Sequence, residues 1–174
     1  MKGLEVQRRI RGLTIYIRLV LKYCGSRGLA LEATIDNEMV GGCIVHRPLA
    51  YPPPVSAQVS ILLGSFIRFR SLGTLWRGLT LLVTVEKRHP KQAHYYLDFL
   101  GVDPRFQGQG MGSLMVQRMT GLADEQQVGS YLWTSNPRAP SFYRRFGFDI
   151  TGEQEVIGAK IWFMWRPAVT GSRA

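Results

Sequence analysis

Apolar positions recur at helical spacing at Leu4, Ile10, Leu13, Ile17, Leu21 and Cys24, with Arg8, Arg11, Arg18 and Lys22 on the other faces. That pattern predicts an amphipathic helix over 4–24, ending at Gly25. Residues 29–35 (LALEATI) and 38–46 (EMVGGCIVH) read as two strands joined at Asp36-Asn37, which is turn chemistry, so a β-hairpin is predicted. Tyr51-Pro52-Pro53-Pro54 breaks regular structure. Residues 55–87 are rich in Leu, Ile and Phe, with Arg68, Arg70, Arg77 and Lys87 interspersed. They read as two helices broken near Ser71–Gly73, which either pack on a sheet, cover a pocket or lie at a membrane surface.

The aromatic and branched run His94 to Val102 (HYYLDFLGV) predicts a central strand. A helix is expected over Gly110 to Gln127, a short strand over Tyr131 to Thr134, and a short helix over Pro137 to Phe146 with the proline in its first turn. Strands over Phe148 to Thr151 and Lys160 to Arg166, with Gly158 in the turn between them, complete the chain. This order makes one mixed α/β domain over residues 1–174.

Composition narrows the class. The chain is 45% hydrophobic and 20% charged, which excludes a collagen, a coiled coil and a disordered chain. Cys24 and Cys43 form no CxxC pair, and two thiols fit a reducing, cytoplasmic setting. His46, His89 and His94 lack metal-ligand spacing, so no metal is expected. The apolar stretch Leu13 to Val20 is interrupted by Arg18 and lacks a small-residue cleavage site, so it does not read as a secretory leader. No run reaches the roughly 18 apolar residues of a spanning helix. The net charge is +10, of which residues 1–27 carry +6. Such a basic amphipathic end attracts phosphates, nucleic acid or an anionic surface, or is simply a solvated face. No base-reading motif accompanies it, which disfavours nucleic acid as a partner.

Val102-Asp103-Pro104-Arg105-Phe106-Gln107-Gly108-Gln109-Gly110-Met111-Gly112-Ser113 carries the chemistry. A strand runs into a glycine-rich turn that opens a helix. Glycines permit positive φ, and the unpaired N–H groups of a helix start favour an anion such as phosphate. The spacing is neither GxxxxGK[ST] nor GxGxxG, which argues against a P-loop and a dinucleotide fold.

Gln107-x-x-Gly110-x-Gly112 after the strand end resembles the coenzyme A signature of the GNAT superfamily of N-acetyltransferases. Thr134-Ser135-Asn136-Pro137 followed by Ser141-Phe142-Tyr143-Arg144-Arg145-Phe146-Gly147-Phe148 resembles that superfamily's strand-helix-strand segment. The resemblance is specific over about 94–150 and covers 29–166 as an order of elements. Residues 42–54 and 88–104 are similar to a subgroup of small bacterial and fungal members with a helical insertion, here 51–90, after a Tyr-Pro-Pro segment.

The resemblance implies a mostly antiparallel sheet with splayed central strands flanked by helices. It implies an acetyl-CoA-binding core over 94–150 and direct transfer of acetyl to a primary amine of a small molecule, peptide or protein. Gln107, Gly108, Gln109, Gly110, Met111, Gly112 and Ser113 would cradle the pyrophosphate, with Arg105 adding charge. Leu100, Gly101 and Val102 would meet the pantetheine arm through their backbone, Asn136 would contact the same arm, and Tyr143 would protonate the leaving thiolate. Asp98 is the leading candidate base, because Tyr96, Asp98 and Leu100 would share one strand face; Glu86, His89 and His94 are weaker candidates. Few acidic residues lie outside turns, which disfavours polycationic acceptors. Members of the family often dimerise. Two features depart from this reading or rival it. The sequence pattern shows no clear first strand before the hairpin, and a module that binds acyl-CoA without catalysis would keep the same fold.

Overall fold

The structure is a computed structural model that describes Leu21, residues 28–51 and residues 72–169. Apart from Leu21, the predicted basic helix over 4–24 lies outside these residues. So do the first helix of 55–87 and the question of a strand before the hairpin.

The hairpin forms as predicted from β1 (Gly28–Ile35) and β2 (Glu38–His46). Asp36 and Asn37 both adopt positive φ in its turn, a conformation Asx side chains tolerate better than most. Helix α1 (Leu72–Arg88) ends in Lys87 and Arg88, which complement the negative end of the helix dipole. Strand β3 (His94–Val102) follows, then a 3-10 turn (Pro104–Phe106) and α2 (Met111–Glu125). The chain closes with β4 (Gly129–Thr134), α3 (Ala139–Arg144), β5 (Asp149–Val156) and β6 (Ala159–Arg166). Several boundaries differ from the sequence pattern: β4 begins at Gly129 rather than Tyr131, and α2 ends at Glu125 rather than Gln127. Helix α3 begins at Ala139 rather than Pro137, with Pro140 in its first turn. Strand β5 runs to Val156 because its whole length pairs with β6.

The six strands form one sheet in the order β1-β2-β3-β4-β6-β5. Only β3 and β4 are parallel; the other neighbours are antiparallel. The parallel link requires the crossover that α2 supplies. Two apolar layers cover the sheet. On one face α2 (Met115, Val116, Met119, Ala123) and Tyr143 of α3 pack on Cys43, Val45, Tyr95, Leu97, Leu132 and Met164. On the other face Val85 of α1 packs with Tyr96, Tyr131, Val156, Ile161 and Phe163. Arg166 ties the first layer to the sheet. It is 9% exposed, donates to both carboxylate oxygens of Asp124 at 2.7 Å each, and donates to the Phe146 carbonyl at 2.9 Å.

Two irregularities in β3 position the site. The pairing with β2 steps from Ile44↔Phe99 to Val45↔Leu97, leaving Asp98 as an extra residue. Such a bulge reverses the alternation of side chains beyond it. Tyr95 and Leu97 face α2, and so do Leu100 and Val102, whereas Tyr96 faces α1. The expectation that Tyr96, Asp98 and Leu100 share a face is therefore corrected: Leu100 lies on the opposite side. The second irregularity is a fork. The β3–β4 pairing ends at Leu97↔Leu132, and beyond it Trp133 and Thr134 of β4 pair with β6 alone.

Candidate active site

The fork leaves one edge of β3 unpaired over its last residues. Asp103 N–H donates to the Val40 carbonyl at 2.8 Å, so Asp103 faces β2. By the alternation of an antiparallel ladder Gly101, opposite Gly42, also faces β2, and the amides of Leu100 and Val102 face the fork. The Val102 carbonyl on that edge accepts from Gln107 Nε2 at 3.0 Å.

The glycine-rich loop closes the mouth of the fork. Gly108 and Gly110 have φ of 80° and 88°, and an added Cβ at either meets no atom within 4 Å. Both therefore border open space in a conformation that side chains disfavour. Gly110 is the N-cap of α2, so the amides of Met111, Gly112 and Ser113 belong to a helix start without intrahelical partners. A Cβ on Gly112 would meet Phe142 and Val102 at 3.7 Å, which sets this helix start against both β3 and α3. Gln109 Nε2 donates to the Arg105 carbonyl at 3.4 Å. Open space beside the unpartnered amides of a helix start fits a phosphate-bearing ligand.

Arg105 does not face that space as a free cation. Its guanidinium donates to Asp103 at 2.9 Å and Glu38 at 3.0 Å, and these carboxylates hold its pKa above the ordinary arginine range. Asn136 accepts from Arg138 N–H on its side chain and from Ala139 N–H on its carbonyl, both at 3.0 Å. It closes the turn before α3, while Arg138 is the helix N-cap.

Tyr143 and Asp98 flank the fork from opposite faces. Tyr143 is 8% exposed, and burial, followed by the nearby Cys43 thiol, raises its hydroxyl pKa to about 12. Burial likewise raises Cys43 to about 11, against a backbone hydrogen bond with Leu31. Asp98 lies on the α1 side with its side chain 9% exposed. Its Oδ2 is 3.2 Å from His46 Nε2, and its Oδ1 accepts from the Tyr96 hydroxyl at 3.4 Å. Tyr96 in turn accepts from Trp133 Nε1 at 2.9 Å, linking the two arms of the fork. His46 stacks on Tyr96 at 5.4 Å between ring centroids, and Tyr51 meets its edge at 5.5 Å. The sequence pattern singled out Asp98 and put Tyr96 on its face, but missed its contact with His46 and the Trp133 bond to Tyr96. The pairing register of β2 and β3 brings His46 to Tyr96, across fifty residues of chain.

Of the weaker base candidates, His89 and His94 face each other instead, with Nε2 atoms 3.1 Å apart. His94 Nδ1 lies 2.6 Å from the Gln92 carbonyl and must donate to it, so in the neutral ring His94 Nε2 accepts and His89 Nε2 donates. Burial, then His94 and His46, push His89 down to about 3, and burial also lowers His94. Both folded-state values lie below the unfolded value near 6.5. As pH falls through 6.5 toward 3 the unfolded chain binds protons that the folded chain refuses, so stability is lost. We expect denaturant unfolding to show about 1–2 kcal/mol less stability at pH 5 than at pH 7, after discounting for partial solvent contact. His89→Leu should remove at least half of that dependence; an unchanged slope would refute the assignment.

Among the described residues no group of three or more His, Cys, Asp or Glu side chains could hold a metal, and no helix is long and apolar enough to cross a membrane.

Comparison with known proteins gives a consistent answer. Over 75 residues the chain is 31% identical to the spermine/spermidine N(1)-acetyltransferase of Bacillus subtilis, covering 41% of this chain and 49% of that protein. Over 61 residues it is 34% identical to the peptidyl-lysine N-acetyltransferase YjaB of Salmonella typhimurium, covering 35% and 41%. These matches thus span about half the length of the curated relatives or less. In fold it is similar to the histone acetyltransferase HPA2 and related acetyltransferase of Corynebacterium glutamicum, with a TM-score of 0.64 at 22% identity over 93% of this chain and 77% of the other. The ribosomal-protein-S18-alanine N-acetyltransferase of Escherichia coli gives 0.55 at 14% identity over 90% and 80%. The model of the Acetyltransferase (GNAT) family matches residues 15–148, which include the fork, the glycine-rich loop and Tyr143, and the chain accordingly belongs to the GNAT acetyltransferase family.

Proposed function

We propose that this protein is an acetyl-CoA-dependent N-acetyltransferase that moves an acetyl group to a primary amine by direct attack, with residues 94–150 as the coenzyme-binding core. The observation that carries this reading is the fork, with the Leu100 and Val102 amides on its open edge and the α2 start at its mouth. On this reading Gln107, Gly108, Gln109, Gly110, Met111, Gly112 and Ser113 hold the pyrophosphate through their backbone. The Leu100 and Val102 amides, with Gly101 between them, align the pantetheine arm and the acetyl carbonyl oxygen, where they offset developing negative charge. Asn136 lines the same channel from the α3 side.

Asp98 accepts a proton from the attacking amine on the α1 face, and Tyr143 supplies one to the departing sulfur on the α2 face. A base beside the amine and an acid beside the sulfur suit addition and elimination at the acetyl carbon, whose tetrahedral intermediate carries nitrogen and sulfur at separate corners. The buried phenol stays protonated throughout the working pH range. Its raised value widens the gap from a thiol, so it acts first as a hydrogen-bond donor to the forming thiolate. The curated relatives are named for acetylation of spermine or spermidine and of peptidyl-lysine. Both suggest an acceptor amine on a flexible arm; a lysine-containing peptide agrees with the scarcity of acidic residues, and spermidine, which the charge balance disfavours, is assayed beside it because of the relative's name.

Calorimetric titration with acetyl-CoA tests the coenzyme site. We expect micromolar binding by the wild type and at least a 100-fold loss in Gly110→Trp, with folding checked by circular dichroism. Absence of binding by folded wild-type protein would overturn the reading. Binding without transfer to any amine would favour a non-catalytic acyl-CoA-binding module.

A further inference from the structure

We propose that His46 and Asp98 accept the amine's proton as one unit, His46 acting through Asp98 as a positioning residue on the α1 face of the fork; this rests on the acetyltransfer reading above. The argument begins with the oxygens of Asp98. Oδ1 receives the Tyr96 hydroxyl at 3.4 Å and Oδ2 lies 3.2 Å from His46 Nε2. Trp133 Nε1 donates to the Tyr96 hydroxyl at 2.9 Å, which occupies one of its lone pairs and leaves its proton to donate toward the Asp98 carboxylate. Both Asp98 oxygens are thus already engaged by neighbouring groups, which leaves the carboxylate alone little room for an incoming proton.

The imidazole changes that. A neutral imidazole beside a carboxylate can take up one proton and hold it as an imidazolium–carboxylate pair, whose charges then attract. In the step proposed, the N–H bond of the ammonium acceptor breaks and its electron pair stays on nitrogen. The proton passes to an Asp98 oxygen and is held on the His46–Asp98 pair until it leaves to solvent. No oxidation or reduction occurs.

The surroundings of His46 support this assignment. Tyr96 and Asp98 face it from β3, Tyr51 from the segment after β2, and His89 from the end of α1. From β1 its register partner is Gly28, which has no side chain. Of these described neighbours Asp98 is the carboxylate, and it lies one residue beyond the last β3–β4 pair, where the fork opens.

Two readouts on the full chain test the proposal. The first is the pH titration of the His46 ring nitrogens in 15N-labelled protein, assigned by their loss in His46→Gln. Asp98→Asn should lower the His46 midpoint by at least one pH unit; a change below 0.3 unit would overturn the pairing. The second is the pH profile of kcat/KM with spermidine and with a lysine-containing peptide. His46→Gln should move the ascending limb at least one unit toward the carboxylate range and lower kcat at least tenfold with KM little changed. A uniform fall with the limb in place would mark His46 as merely structural and overturn the proposal. If wild-type protein binds acetyl-CoA but acetylates neither amine, the base role falls with the acetyltransfer reading, and the spectra still report separately whether the pair shares its proton.

Discussion

Tyr143→Phe should lower turnover by about 10²- to 10³-fold, within the usual contribution of a positioned general acid, while acetyl-CoA still binds. The substitution removes one oxygen from a side chain packed against Phe142 and Phe148, so the α3 layer loses little apolar contact. The lost oxygen is the proton donor assigned to the departing sulfur. A fall in kcat and kcat/KM together, with unchanged calorimetric affinity, is the signature of an interaction made only in the transition state. Turnover within about threefold of wild type would remove Tyr143 from the mechanism and leave water as the donor.

The second large effect concerns stability. Gly129 opens β4, and a Cβ there would overlap the Trp165 ring and approach the Arg166 carbonyl to 3.0 Å. The ring can yield only by giving up its place beside the Val85 and Tyr131 layer, and the carbonyl is part of the sheet. Gly129→Ala should therefore cost about 3 kcal/mol, at the upper end of overpacking penalties. The check is denaturant unfolding of the single variant and of Gly129→Ala combined with Trp165→Leu. Relief of the overlap predicts that the double variant loses less than the two single costs added. Strict additivity would show that the ring is not the obstacle.

Local chemistry made much of this legible in advance. The hairpin turn at Asp36-Asn37, the aromatic strand from His94 and the glycine-rich entry to α2 all stand in contiguous residues. Other features depend on pairing between distant segments. The extra residue at Asp98 arises from the register against β2, and a period-two count along β3 alone puts Leu100 on the wrong face. The contact of His46 with Asp98 spans 52 positions and depends on the same register. Arg105 reads as a free cation until the hairpin brings Glu38 beside it. Pro137 suits a first helical turn, but Asn136 closes its own turn around Arg138 and Ala139 and delays α3 to Ala139.

The short seam between β3 and β4 has a further consequence. It joins four residues on each side, His94–Leu97 to Gly129–Leu132, whereas the strands to either side pair at greater length. The sheet is thus two three-stranded leaves, one drawn from residues 28–102 and the other from 129–166, bound along a narrow spine with α2 as the strap across it. On the proposed reading a coenzyme arm lying in the fork bonds to the first leaf and rests against the second, extending the spine where the backbone has parted. Its binding energy would then appear mainly as cohesion between the leaves, and the bound protein should unfold as one unit over conditions in which the free protein opens along its spine.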